Sequence, residues 1–459
     1  MNRRKPLGLG SSAVVSAILG VLLTLAACER PAETSERAAE SADRSSSTSL
    51  DTAAEEYVKL ALALRPHDPA YVDAYFGPPE WAAEAEANGR PLAELRTAAA
   101  ALVTGLGTAR GDAEEDIVTR RREQLRKRLT SMLARMDMAE GRYLPFDEES
   151  LALFDAVAPR YDAAHFAPIL SRIETLLPPG EGPLDERLEQ FRAQFVIPTD
   201  RLAEVFDAAI AECRKRTLAH IDLPADESFT IEYVTNQPWS GYNWYKGDYF
   251  SVIQINTDLP IYISRAVDLG CHEGYPGHHT YNVLLERELV EGRGWVEFTV
   301  HPLYGPQSLI SEGSANFGVE LAFPGEERLG FERDVLFPLA GLDPGQASIY
   351  YEILAVLEDL AYAENEAARG RLDGAFDEQQ AVEWLMRNEL APRARAEQRV
   401  RFIETYRSYV INYNLGQDLV AAYVDARAGD DVERRWTELE RLLAEPFAPS
   451  DIGAAGVPQ

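Results

Sequence analysis

Cysteine and basic residues are scarce in this sequence, and each shortage excludes a class of protein. The 459 residues include three cysteines, Cys28, Cys213 and Cys271, too few for a disulfide scaffold or a four-cysteine zinc site. Lysine and arginine total 45 against 75 aspartates and glutamates, a formal net charge of −30. A surface of this charge repels polyphosphate, so we expect no nucleic-acid partner.

The remaining composition is that of an ordinary globular protein. Hydrophobic residues make up 46% of the chain and charged residues 26%, which excludes both wholesale disorder and a multi-span membrane protein. At about 100 to 200 residues per domain, the length allows one large domain or two to three smaller ones.

The first 28 residues have the pattern of an export signal. A basic start precedes an apolar run over residues 13–27, which ends in Leu25-Ala26-Ala27-Cys28. This tetrapeptide resembles the bacterial lipobox, so we expect residues 1–27 to be a lipoprotein signal peptide and Cys28 to carry the lipid anchor. The mature protein would lie in the cell envelope, on the periplasmic side of the inner or outer membrane. A single membrane-spanning helix is the alternative, although the run is short of the roughly 20 residues that a span needs.

Beyond the signal, the sequence predicts a tether and a helical domain. Residues 28–49 have almost nothing to bury and predict a disordered tether. From Leu50 onward apolar residues recur with helical periodicity. We therefore expect residues 50–459 to form a large, mainly α-helical domain, with lobes at about 50–180 and 181–459. Residues 249–256 are instead β-branched and aromatic, and they predict a small β-sheet next to the helix that carries the histidines described next.

Histidine is also scarce, but three of the seven histidines lie in His272-Glu273-Gly274-Tyr275-Pro276-Gly277-His278-His279. Zinc binds imidazole nitrogen and carboxylate oxygen, and hydrolytic zinc sites keep a position for a water that a nearby carboxylate can deprotonate. His272-Glu273 matches the first ligand and the general base of the H-E-x-x-H pattern. The alternative is that these histidines stabilise a tight turn.

The second histidine comes later than that pattern requires. In a straight helix, a residue six or seven positions after His272 lies roughly 10 Å further along the axis, too far to share one ion. We therefore predict that Pro276-Gly277 interrupts the helix and folds His278 or His279 back toward His272. His278 is favoured because it is nearer to the regular spacing.

A third ligand is predicted on a downstream helix. The apolar residues over 309–323 leave Glu312, Asn316 and Glu320 on a separate stripe at i, i+4 and i+8. We expect Glu312 to be the ligand, with Asn316 supporting it, and Glu320 to be more exposed. The alternative is that the stripe is a solvated acidic face.

These motifs, with Ser311-Glu312-Gly313-Ser314-Ala315-Asn316 and Tyr413-Asn414-Leu415-Gly416, resemble the bacterial domain of unknown function 885 family. That family is mostly helical and is considered similar to the gluzincin metallopeptidases. Over residues 50–425 the resemblance implies a gluzincin or oligopeptidase-like fold with one Zn²⁺ per chain. The zinc ligands would be His272, Glu312 and one of His278 and His279, and Glu273 would be the base. Gluzincins also pair substrate with an edge strand, a role we expect for residues 249–256. Where members commonly carry Glu-Gly-Trp-Ala, this chain has Glu-Gly-Ser-Ala, a difference that bears on the substrate pocket.

Stabilising the negative charge that develops on a substrate requires a donor as well. Arg407, Tyr409 and Tyr413 are candidates, and we predict catalytic roles for Tyr413 and Arg407, with packing in the core as the alternative. Cys271 is expected to be a small buried residue. The sequence leaves open whether it pairs with Cys213.

Together these features predict a zinc-dependent hydrolase, and most specifically a peptidase that acts on peptides in the cell envelope. The alternative is a non-catalytic lipoprotein that keeps the fold and serves as a binding or assembly module. Glu273 favours the enzyme, because a module that only binds metal needs no base. A hydrolase of non-peptide amides would use the same residues with a different pocket.

Overall fold

The computed structural model describes residues 50–107 and 116–453, which lie in one compact unit. The predicted signal peptide, the tether and Cys28 lie outside the described residues. The prediction of a mainly helical chain with a small sheet is confirmed. The helices are α1 (50–64), α2 (Pro79–Ala87), α3 (Leu92–Leu106), α4 (Asp116–Ala139), α5 (Phe146–Phe154), α6 (Ala163–Leu176), α7 (Leu184–Arg192), α8 (Leu202–Thr217), α9 (Ser264–Leu269), α10 (His278–Leu285), α11 (Pro306–Ala322), α12 (Glu326–Phe331), α13 (Phe337–Ala340), α14 (Ala347–Glu358), α15 (Tyr362–Leu372), α16 (Glu378–Asn388), α17 (Arg393–Tyr406), α18 (Ile411–Ala428), α19 (Val432–Ala444) and α20 (Pro449–Gly453).

Short helical turns and five strands complete the described secondary structure. The π-helical turns are Gly270–Gly274, Glu286–Glu291 and Glu332–Leu336, and the 3₁₀ turns are Ala193–Phe195, Thr199–Arg201, Val296–Thr299, Pro344–Gln346 and Arg407–Val410. The strands are β1 (Val72–Tyr75), β2 (Ser228–Val234), β3 (Gly241–Gly247), β4 (Phe250–Asn256) and β5 (Val300–Pro302). Among the described helices, none has the length and apolarity that crossing a bilayer requires.

The three-stranded sheet has the order β2-β4-β3, with β2 parallel and β3 antiparallel to β4. The predicted strand over 249–256 is therefore present as β4, where Ser251, Ile253 and Ile255 alternate into the core. However, β4 is the central strand and is hydrogen-bonded on both sides. The expectation that this segment pairs with substrate as an edge strand is wrong, and β3 is the edge strand on the side of the histidines.

The buried apolar side chains form two clusters. The first is built mainly from α1, α3 and α4, and the second includes most of the later helices and the three-stranded sheet. Helix α4 contributes to both, with Met136 in the first cluster and Met138 in the second. Strands β1 and β5 form a separate antiparallel pair, which ties the N-terminal part of the described chain to the segment ahead of α11.

Helix α11 is held at short range by glycines. A Cβ atom added to Gly313 would lie 2.2 Å from the carbonyl carbon of Gly416 in α18, and one added to Gly318 would lie 2.8 Å from Pro276 Cγ. Because no side chain intervenes, α11 packs directly on α18 and on the turn that follows Glu273. This packing determines where Glu312, the residue before Gly313, is held.

We predict that Gly313→Ala destabilises the fold by about 1 to 3 kcal/mol, because the new methyl group must displace the backbone of α18. The matched control is Gly105→Ala in α3, where an added Cβ meets nothing within 4 Å. That change should leave stability unchanged or raise it by up to about 1 kcal/mol. Urea denaturation measures both variants. Equal stabilities would show that the helix contact is not tight.

Candidate metal centre

The chain reverses sharply between His272 and His278. Helix α9 continues into the π-helical turn Gly270–Gly274, and α10 begins at His278. The Gly277 amide donates to the Cys271 carbonyl at 3.0 Å, and a Cβ atom at position 277 would lie 1.8 Å from the His272 carbonyl oxygen. Only glycine allows this approach. The predicted interruption of the helix at Pro276-Gly277 is confirmed.

The turn brings two imidazoles onto one carboxylate. His272 Nε2 lies 3.2 Å from Glu312 Oε2, and His278 Nε2 lies 3.6 Å from the same oxygen. One ligand atom from each of the three residues falls within 4.8 Å of the others, an arrangement that could hold a metal ion. Two imidazoles and a carboxylate form a ligand set that catalytic zinc sites use.

Hydrogen bonds orient both rings toward that point. Asn316 Nδ2 donates to the Tyr413 carbonyl at 3.0 Å, so its Oδ1 is the atom that faces His272 Nδ1 at 2.8 Å. His278 Nδ1 lies 3.0 Å from Ser311 Oγ. With hydrogen on Nδ1, each ring presents the Nε2 lone pair to the cluster, which is the form that binds metal. Asn316 therefore supports His272. The prediction that it supports Glu312 is wrong.

The Glu312 carboxylate has one satisfied oxygen and one free oxygen. Tyr409 donates its hydroxyl to Oε1 at 2.7 Å, whereas the buried Oε2 has no hydrogen-bond partner. Burial alone would raise the pKa of Glu312, but the neighbouring His278 and His272 hold it well below its usual range. A buried carboxylate oxygen without a partner is costly. A cation between Oε2 and the two Nε2 atoms would remove that cost, so the residues present fit a divalent metal.

Glu273 lies beside this cluster. Its side chain is buried, and Oε2 has no hydrogen-bond partner. A Cβ atom at Gly241 in β3 would come within 2.6 Å of Glu273 Oε1, so the missing side chain there makes room for the carboxylate. Burial, together with the charge of Glu312, raises the pKa of Glu273 to about 7.

Two predicted site residues have other roles. His279 is fully buried between Ser251, 2.8 Å from Nδ1, and Glu227, 3.0 Å from Nε2. Both ring nitrogens of His279 have hydrogen-bond partners there, so the prediction of His279 as a metal ligand is wrong. His278 is the second histidine of the cluster. Arg407 binds Glu149 with Nη2 at 2.7 Å and does not line the cavity at the cluster. Its predicted catalytic role was also wrong, because the arginine is neutralised elsewhere.

The remaining predicted residues line a cavity of about 1950 Å³ that contains the cluster. Tyr413 is half-buried in its wall, where burial and the charge of Glu312 raise its pKa well above the usual value. Glu320 also lines this cavity but is exposed and bonded by Gln417.

Two features near the site were not predicted. Tyr242 in β3 donates to Asp73 in β1 at 2.8 Å, and both residues line the cavity. Tyr242 lies in an aromatic segment that could have drawn attention, whereas Asp73 carries no motif or periodic signal. The pairing of Cys213 with Cys271, left open by the sequence, is present as a disulfide with a Cα–Cα distance of 5.5 Å. It ties α8 to the residue before His272.

We predict that Glu312→Gln weakens zinc binding by more than about 100-fold, since losing a ligand should exceed the 10- to 100-fold cost of losing a residue that supports one. Glu320→Gln on the same helix is the matched control and should bind zinc like the wild type. Competition with a chromophoric chelator gives both affinities. Equal losses in the two variants would contradict the ligand assignment.

Replacing His278 and replacing His279 should have different effects on zinc binding and on stability. His278→Ala should abolish zinc binding with little loss of stability. His279→Ala should keep zinc within about tenfold but lower the unfolding free energy by about 1 to 3 kcal/mol, because it leaves buried polar partners unsatisfied. Zinc titration and thermal unfolding test this pair. Retention of zinc by His278→Ala would refute the assignment.

Comparisons with known proteins identify no family for this chain and a distantly similar structure. No family model matches the chain, and no curated protein matches it either. A crystal structure of a "putative lipoprotein" from Colwellia psychrerythraea is similar over 79% of this chain and 71% of that chain, with 13% sequence identity and a TM-score of 0.47. A similarity this low carries no functional assignment, which depends on the site itself.

Proposed function

We propose that this protein is a metal-dependent hydrolase, specifically a zinc peptidase similar to the domain of unknown function 885 family and to the gluzincins. One observation carries the proposal: the buried Glu273 carboxylate, with an oxygen that has no partner, lies beside the cluster of His272, His278 and Glu312. A site that only binds metal has no use for a second buried carboxylate, which is costly to maintain. A hydrolase needs one as its base.

In this proposal the candidate ligands and Glu273 have separate roles in hydrolysis. His272, His278 and Glu312 would hold a divalent cation, which would supply Lewis acidity at this point of the cavity. Glu273 accepts the proton of the attacking water and transfers it to the leaving amine. Burial raises the pKa of this carboxylate, whereas a cation on the cluster would lower it, and a base works best when such opposing effects leave its pKa near the working pH.

The edge strand supports a peptide as the substrate. Gly241, Tyr242 and Asn243 of β3 line the cavity, and among the described strands β3 is hydrogen-bonded on one side, to β4. The outer edge of such a strand can pair with an extended peptide backbone. Because Gly241 has no side chain, the Glu273 carboxylate lies directly against this strand, and a peptide paired with β3 would lie near the base.

Tyr413 is the remaining candidate for stabilising negative charge on the substrate. Tyr409 already donates to Glu312 and Arg407 is paired with Glu149, whereas the Tyr413 side chain lines the cavity with Glu273 and Glu312. We propose that its hydroxyl donates to the developing oxyanion. Attachment to a membrane through Cys28, with action on peptides in the cell envelope, completes the proposal.

Glu273→Gln should preserve zinc binding while slowing peptide hydrolysis at least about a hundred-fold, because it keeps the shape of the side chain and removes the base. Glu320→Gln, a second carboxylate of the same cavity, is the matched control and should stay active. Mass spectrometry of a peptide library incubated with each zinc-loaded protein measures the rates.

Full activity of Glu273→Gln would exclude this mechanism. A zinc-loaded wild type that cleaves no peptide in a broad panel would instead favour the alternative of a non-catalytic lipoprotein module.

A further inference from the structure

Four arginines line the cavity that contains the candidate metal centre: Arg192, Arg265, Arg395 and Arg399. The first two and Arg399 lie close enough to Arg395 for their charges to act on it. The four arginines come from the end of α7, from α9 and from α17. Arg395 and Arg399 are one turn apart and therefore lie on the same face of α17. We call this group the arginine cluster.

The arginine cluster is poorly neutralised by the described residues. The Arg192 guanidinium stacks on Tyr262 at 4.4 Å from the ring centroid, and its buried Nε has no hydrogen-bond partner. Arg395 donates to the neutral Gln398 at 2.9 Å. Arg265 reaches Asp268 at 3.4 Å, a carboxylate already bound by Arg328 at 2.6 Å.

Two acidic side chains, Glu364 and Glu389, face the four arginines, and a third, Asp268, is shared with Arg328. Arg399 lies 3.7 Å from Glu364, a long ion pair, and its Nε is buried without a partner. Glu389 Oε2 is likewise buried and unbonded. Burial and the neighbouring Arg399 and Arg265 guanidiniums lower the pKa of Arg395 to about 10. The four arginines therefore lie together in a chain with a net charge of −30 and in a cavity whose other charged residues are mostly acidic.

The arginine cluster lines the same cavity as the proposed catalytic residues. Arg265 and Glu273 belong to consecutive segments, α9 and the π-helical turn that follows it. Arg399 and Tyr413 line that cavity as well. A single ligand in this cavity can therefore contact both the arginines and Glu273.

We propose that the arginine cluster binds a carboxylate of the peptide substrate, either the C-terminal carboxylate or an acidic side chain. This inference rests on the proposed peptidase function and adds a substrate class to it. Guanidinium groups match the planar carboxylate with paired hydrogen bonds, and a bound carboxylate supplies the negative charge that the cluster lacks. The site thereby selects peptides that carry a carboxylate.

The test is equilibrium binding of three peptides to the full-length protein with its metal removed by chelator, so that neither turnover nor metal coordination contributes. The peptides are N-acetyl-trialanine with a free C-terminal carboxylate, its C-terminal amide, and N-acetyl-Ala-Ala-Glu amide. We expect one of the two acids to bind at least about tenfold more tightly than the trialanine amide, since hydrogen bonds to charged groups contribute that much. The acid that is preferred identifies the source of the carboxylate.

The double variant Arg395→Gln/Arg399→Gln should reduce this preference to nearly one. Arg401→Gln, at an exposed position of the same helix, should retain it, and thermal unfolding verifies that each variant is folded. The comparison of acids with amide in the wild type does not depend on any variant.

Equal binding of acids and amide, binding of none of them at millimolar concentration, or a preference that survives in the folded double variant would each overturn the proposal. Failure of the carboxylate-binding proposal is distinguishable from failure of the proposed peptidase function. Cleavage of neutral peptides without carboxylate preference would leave the peptidase standing, and carboxylate preference without any cleavage would leave the binding site standing.

Discussion

The close approach of the Gly277 backbone to the His272 carbonyl determines where the candidate ligands lie. Without that approach, His278 would lie roughly 10 Å along the helix from His272, and no ion could contact both residues. The other side of the cluster depends on a second close contact, between Gly313 and Gly416, which positions Glu312. The candidate metal centre is therefore built by backbone packing at glycines, and its candidate ligands occupy the space that this packing defines.

A further set of polar contacts prepares the cluster for a cation. Asn316 and Ser311 bond the Nδ1 atoms of the two imidazoles, and Tyr409 occupies one oxygen of Glu312. What remains unsatisfied is directed inward: two Nε2 lone pairs and one carboxylate oxygen. Buried polar atoms are normally paired, so this shared deficiency is the strongest structural argument for a metal. The oxygen of Glu273 next to it also has no hydrogen-bond partner, and this is the observation that favours the proposed hydrolase over a site that only binds an ion.

The sequence predicted the local chemistry better than the contacts between distant segments. The spacing of the octapeptide was enough to require an interruption at Pro276-Gly277, and helical periodicity was enough to separate Glu312 from the apolar face. Periodicity assigns residues to a face but does not identify what that face contacts. Asn316 was therefore assigned to the wrong partner, and Arg407 was expected in a site although it pairs with Glu149. The sequence predicted β4 as an edge strand, but β2 pairs with it in parallel. Nothing in the sequence of β4 itself indicates this contact with a distant segment.

The central claim is that His272, His278 and Glu312 together bind the catalytic metal. An anomalous difference map, collected at the zinc absorption edge from crystals of the zinc-loaded protein, tests it most directly. The account predicts a single strong peak at about 2.0 to 2.2 Å from the two Nε2 atoms and a Glu312 oxygen, with the open side of the ion toward Glu273. A peak at another site, or none at saturating zinc, would contradict it.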